Sequence, residues 1–232
     1  MSILYLVRHG QAGTRENYDS LSDVGRAQAR LLSEHLRETH FTAVYSGSLA
    51  RQQATAAEVL PGANIIVEPG WDEFDLSRVY REFAPHLAHD DEQFRIEYEE
   101  MQREIAESRG AQDAPVHRKW NDCDRKCVRA WVEGRYEYSG ESWTAFVERI
   151  RGSLARVIEA AHEGNVAVFT SATPIGVSAA RTLEIADGRA MWLAAVMFNT
   201  SVTTLRVHGD EVRLFTMNAT PHLSEARLRT FR

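Results

Sequence analysis

The chain predicts an α/β fold: a three-layer α/β/α sandwich on a mostly parallel central sheet, with an antiparallel edge and a helical lid insertion. Three observations carry that expectation. Short apolar runs rich in β-branched residues alternate with longer stretches of helical periodicity. The last two apolar runs flank the tight-turn sequence His-Gly-Asp at 208–210. From about residue 76 to 140 the pattern gives way to heavily charged helical sequence. At 232 residues and 44% hydrophobic content, 1–232 reads as a single domain with 76–140 inserted in it.

Taken in order, Ile3 to Val7 (ILYLV) is a continuous apolar run, expected of a strand covered on both faces and so central in its sheet. In SDVGRAQARLLSEHL, Val24, Ala27 and Leu31, and likewise Ala29, Leu32 and Leu36, recur at helical spacing behind Ser22, a residue suited to cap a helix. AVYS (43–46) is a second strand leading into the helix of SLARQQATAAEVL, and NIIVEP (64–69) is a third strand ended by proline. Within the insertion, DDEQFRIEYEEMQREIAES is a solvated helix and RGAQDAPVHR a loop. Phe146, Ile150, Leu154, Val157 and Ala161 keep an apolar register through a further helix. NVAVFT is the fourth strand, followed by a turn with Pro174 in the first turn of a helix. SVTTLRV and EVRLFTM close the chain as an antiparallel pair. Trp120, Trp131 and Trp143 either pack under the insertion or line it.

A net charge of −6 leaves no broad cationic surface for nucleic acid or anionic membrane, and no apolar run is long enough to span a bilayer. Cys123 and Cys127, four apart, share a helix face and lack the spacing of a zinc site. They read as ordinary thiols of a cytoplasmic protein. His86 and His89 suit one helix face but have no third ligand, so no metal and no cofactor is expected. The sequence leaves the oligomeric state open.

Ligands of such sheets gather beyond the carboxyl ends of the strands. That rule selects Arg8-His9-Gly10, Ser46 to Arg51, Glu68 to Asp75 and Thr170 to Pro174. These residues suit phosphoryl transfer, which needs cations and directed donors around spread negative charge. Arg8 and Arg51 offer planar forks for phosphate oxygens, and His9 a neutral ring nitrogen able to attack phosphorus. Gly10 would let the backbone approach the phosphate. Glu73 is the best-placed carboxyl for protonating a leaving group, with Asp72 and Asp75 as neighbours one and two positions away. Arg15, in the loop after His9, could reach the phosphate or the rest of the substrate, or be an exposed loop arginine.

LVRHGQAG (6–13) resembles the nucleophile motif of the histidine phosphatase superfamily, in its phosphoglycerate-mutase-like branch. LSDVGRAQARLL resembles the helix that follows it, VYSGSLARQQATA the second-arginine segment, WDEFD the acid segment, and GESWTAFVERI and MNATPHL the late helix and closing motif. The resemblance implies His9 as nucleophile and Arg8 and Arg51 as phosphate ligands. It implies a cofactor-independent phosphomonoester hydrolase acting on a small phosphorylated substrate through a phosphohistidine. One position departs from the family pattern. Where a second His-Gly is usual, this chain has Ser171 and Ala172, which implies weaker turnover, with the Ser171 hydroxyl and the amides of Ala172 and Thr173 as the remaining donors. A phosphoglycerate-type mutase is disfavoured, because FDLSRVYREF lacks the arginine and tyrosine pattern of those enzymes. A phosphate-binding module without catalysis rests on Ser171 alone.

Overall fold

The computed structural model describes residues 2–109, 111, 113–209 and 211–231. The elements run β1 (Ser2–Arg8), α1 (Asp23–Leu36), β2 (Ala43–Ser46), α2 (Ala50–Val59), β3 (Ile65–Val67), α3 (Leu76–Asp90), α4 (Glu92–Glu107), α5 (Pro115–Arg118) and α6 (Asp122–Val132). After these come α7 (Trp143–Ala160), β4 (Val166–Thr170), α8 (Ala172–Thr182), α9 (Ala190–Ala195), β5 (Val202–His208) and β6 (Glu211–Ala219). Two compact units result. Residues 2–13, Asn17–Glu73 and Val147–Phe231 form the first, and Thr14–Glu16 with Phe74–Phe146 the second.

The first unit is built on a six-stranded sheet of order β3-β2-β4-β1-β5-β6. β3, β2, β4 and β1 run parallel, while β5 and β6 form the antiparallel edge expected from their patterning. β1 is interior, and alternation divides its side chains between the two faces. Val7, with Tyr5 beside it, joins Ala29, Leu32 and Leu36 of α1 and Ala56 and Val59 of α2 in one core cluster. Leu4 and Leu6, fully buried, point to the opposite face, where α8 packs against β1. β4 is buried along its whole length, as an apolar strand between two parallel neighbours requires. Ser22 caps α1 by accepting the Gly25 N–H at 3.1 Å.

One reading of the first unit needs adjustment. The third strand is only three residues long, because Pro69 opens a 3-10 turn, Pro69–Trp71, that carries the chain toward Glu73. A Cβ on Gly10 would lie 2.6 Å from the Gly25 carbonyl oxygen of α1, so the close approach of that helix requires glycine here. Of the expected hairpin turn, Gly209 has φ +57° while Asp210 lies outside the described residues.

The second unit contains α3 to α6. On α4, Arg95 pairs with Glu92 and Glu99 on an exposed face. Trp131 stacks on Phe74 at 4.5 Å and meets Trp143 edge-on at 5.3 Å, whereas Trp120 is exposed. Cys123 and Cys127 are buried free thiols on α6, and burial pushes them up to about 11 and about 12. The loop read over RGAQDAPVHR is partly helical. Pro115 at the first position starts the single turn α5, and Gly110 and Gln112 lie outside the described residues. Among the described residues, no helix is long and apolar enough to cross a membrane.

Candidate active site

Because β1 and β4 are parallel neighbours with Arg8 opposite Thr170, their carboxyl ends deliver Arg8-His9 and Thr170-Ser171 side by side. β2, on the other side of β4, leads through Gly47 into α2 and Arg51. The main chain of His9 is held on both sides. Its N–H donates to the Thr170 carbonyl at 2.9 Å, and its carbonyl accepts from the Thr200 N–H and Asn199 Nδ2, each at 3.2 Å.

The ring of His9 is 1% exposed, and its Nδ1 lies 2.7 Å from the Gly10 carbonyl oxygen. A carbonyl can only accept, so Nδ1 carries the hydrogen and Nε2 presents its lone pair. Arg51 confirms that tautomer by directing its Nε–H at His9 Nε2, 3.3 Å away. Burial, then the charges of Arg51 and Arg8, hold the imidazole well below its ordinary 6.5, against a smaller upward pull from the Gly10 carbonyl. A buried, neutral, singly oriented ring nitrogen is a nucleophile in chemical form.

Arg51 stands in the first turn of α2 and donates Nη1 to Asp19 Oδ1 at 3.0 Å, with its guanidinium 4.8 Å from the Tyr18 ring centroid. Arg8 is buried, and two of its guanidinium nitrogens donate to the carbonyls of Met197 and Phe231. Its charge is one of the two that hold the His9 imidazole down.

Glu73 Oε2 accepts the Thr173 N–H at 3.2 Å, which seats this carboxyl at the amino end of α8, beyond the end of β4. Its two acidic neighbours are otherwise engaged. Asp72 binds the N–H and hydroxyl of Ser48, and Asp75 caps α3 through the Arg78 N–H at 2.9 Å. Ser171, 1% exposed, occupies the cap position of α8, with Ala172 as the first residue of the helix. The Ser171 hydroxyl oxygen accepts from Gln52 Nε2 at 2.9 Å, and the same nitrogen reaches the Trp71 carbonyl at 3.3 Å.

Arg15 belongs to the second unit and is not an exposed loop arginine. Its fork is filled by Asp124 at 2.6 and 2.9 Å, and it also donates to the carbonyls of Val116 and Lys119. Tyr80 donates to the same carboxylate at 2.6 Å.

Sequence reasoning missed Tyr18, Asp19, Gln52, Asn199 and Thr200. The last two were findable. β5 is antiparallel to β1, with Val202 opposite Val7, so its amino end lies beside His9. A rule applied only to the carboxyl ends of strands passes over it.

The family model for the histidine phosphatase superfamily (branch 1) matches residues 4–119 and, in a second match, 84–220. The chain belongs to that superfamily. Solved structures agree on the fold. Bacillus stearothermophilus YhfR superposes with a TM-score of 0.67 at 17% identity, over 97% of this chain and 100% of that one. A putative α-ribazole-5′-P phosphatase of Escherichia coli gives 0.64 at 19% identity, over 95% and 98%. A phosphoserine phosphatase variant of Entamoeba histolytica in complex with phosphoserine gives 0.62 at 16% identity, over 96% and 100%. Among curated proteins, none matches the chain significantly. Every site residue named above for the first unit, apart from Phe231, falls within the span matched to the superfamily.

Proposed function

We propose that this histidine phosphatase superfamily member hydrolyses small phosphomonoesters through a phosphohistidine on His9. The observation that carries the reading is the state of His9: a buried neutral ring, Nδ1–H given to the Gly10 carbonyl, and Nε2 facing Arg51 at 3.3 Å. Nε2 attacks phosphorus and the ester oxygen departs, taking the proton of the Glu73 carboxyl. The phosphorylated ring is cationic, and the Gly10 carbonyl on Nδ1–H offsets that charge. Water then attacks phosphorus, Glu73 carboxylate takes its proton, and the P–N bond breaks to return His9 and inorganic phosphate.

Arg51 meets the transferring group directly, and Arg8 balances its charge from beside the ring. The Ser171 hydroxyl, which accepts from Gln52 and keeps its own hydrogen to give, and the Ala172 amide are neutral donors at the amino end of α8. Neutral hydrogen bonds are roughly half as strong as charge-assisted ones, so turnover is slow. Arg15 is left out of the phosphate set, because breaking a buried bidentate ion pair costs several kcal/mol.

The competing reading is a phosphate-binding module without turnover, favoured by Ser171. The test is phosphate release from a panel holding p-nitrophenyl phosphate, phosphoserine and sugar phosphates, with His9→Ala beside the natural chain. Release that disappears in His9→Ala supports the hydrolase. Release that survives the substitution removes His9 from the chemistry, and no release from any ester, with vanadate still bound, leaves the binding module.

A further inference from the structure

Arg51 is gripped at three places. Its Nε–H faces His9 Nε2 at 3.3 Å, its Nη1 donates to Asp19 Oδ1 at 3.0 Å, and its planar face lies 4.8 Å from the ring centroid of Tyr18. Tyr18 also meets the His9 ring edge-on, at 6.5 Å and 90°. Two consecutive residues of the loop after the nucleophile therefore hold the guanidinium by its face and by its end.

Asp19 is itself pinned, although its side chain is 49% exposed while that of Arg51 is only 5% exposed. Its Oδ2 accepts the Ala50 N–H at 3.0 Å and its Oδ1 the Arg51 N–H at 3.2 Å. These are the first amides of α2, whose own cap residue, Leu49, has no side-chain acceptor to offer. Asp19 thus caps α2 from outside the helix, and the two amides fix its carboxylate without burying it.

The stereochemistry separates holding from competing. A guanidinium has a side edge, Nε with Nη2, and a far end that includes Nη1. Asp19 takes Nη1, and the side edge is the one turned to His9 Nε2. A carboxylate occupying the place of the phosphate would have taken the side edge. We propose that Asp19, with Tyr18 beneath the guanidinium, is a positioning residue that keeps the side edge of Arg51 aimed at the atom where phosphorus is attacked. The proposal rests on the phosphatase reading given above.

The experiment is a double-mutant cycle of Asp19→Ala and Arg51→Ala, read as kcat/KM on p-nitrophenyl phosphate and as affinity for orthovanadate, with thermal midpoints alongside. Asp19→Ala should lower kcat/KM at least about tenfold in the natural chain and should change it less than about twofold when Arg51 is already alanine. The loss of the cap, in contrast, should lower the thermal midpoint in both backgrounds. Asp19→Asn keeps a good cap and a neutral acceptor, so it should fold like the natural chain and lose activity by about threefold, less than the alanine variant. Equal activity losses in the two backgrounds would reduce Asp19 to a structural cap and overturn the proposal. Tighter vanadate binding in Asp19→Ala or Asp19→Asn would make it a competitor and overturn it as well. If Arg51→Ala alone changes neither turnover nor vanadate binding, the place of Arg51 in the phosphatase reading fails first. A harmful Arg51→Ala without coupling to Asp19 sinks only the proposal. Should turnover be absent, vanadate affinity carries the same cycle.

Discussion

Replacing Ser171 by alanine removes one oxygen from a fully buried arrangement. Gln52 is 0% exposed, and its Nε2 hydrogens go to the Ser171 hydroxyl oxygen at 2.9 Å and the Trp71 carbonyl at 3.3 Å. Without the hydroxyl, one buried amide hydrogen loses its acceptor, which costs about 1–3 kcal/mol of folding stability. The rate should fall by less than the ~10²- to 10³-fold that follows loss of a preorganised oxyanion donor, because one neutral hydroxyl acts here beside the charges of Arg51 and Arg8. Urea unfolding measures the first effect, and initial rates on p-nitrophenyl phosphate below the transition measure the second. Adding Gln52→Leu should recover part of the stability, since two contacting residues couple by about 0.5–3 kcal/mol. An unaltered unfolding midpoint together with abolished turnover would refute the reasoning, for it would mean that the hydroxyl does chemistry and supports nothing.

Arg51→Lys keeps the charge but cannot serve His9 Nε2 and Asp19 together from one ammonium, so kcat/KM should drop at least about tenfold, or ~1.4 kcal/mol. An undiminished value would make Arg51 a bystander. Glu73→Gln should slow alkyl phosphates far more than nitrophenyl phosphate, whose phenolate departs with little help. Equal losses on both would move the acid elsewhere. His222 is held at about 4 by burial and by His35, below the 6.5 of an unfolded chain, so the unfolded state takes up the extra proton between those values. Stability is complete above about pH 6.5 and declines toward pH 4, by no more than about 3 kcal/mol and nearer 2 for a partly exposed ring. Unfolding measured across that window should be flatter in His222→Gln, and an identical slope would contradict the assignment.

The parts of this protein that were legible in its sequence are those set by short-range pattern. β1 and β4 announce themselves because strands covered on both faces are apolar throughout, and α1 because Ser22 precedes apolar residues at helical spacing, of which Ala29, Leu32 and Leu36 are the buried series. α5 escaped because it is only four residues long, opens on Pro115 and follows Gly110 and Asp113, where composition argues for a loop. At the site, residues carried on strand ends could be named in advance, since the sheet order brings those ends together. Glu73 could be named ahead of Asp72 and Asp75, but the partner each carboxylate finds, Thr173, Ser48 or the first turn of α3, has no local signal in the sequence. Tyr18 and Asp19 were invisible for a similar reason. Their roles depend on the course of a loop that meets α2 some thirty residues later. Thr200 adopts φ +55°, a left-handed backbone unusual for a β-branched residue, and no local signal in the sequence foretells it.

The central claim is that His9 Nε2 accepts the phosphoryl group, and the most direct test is to trap it there. The natural chain, treated with a reactive phosphodonor and digested near neutral pH, should yield one phosphorylated peptide spanning Leu6 to Gly13. The adduct should map to His9, disappear on acid treatment, and be absent from His9→Ala. Labelling at any other residue, or no label while esters are being hydrolysed, would contradict the account.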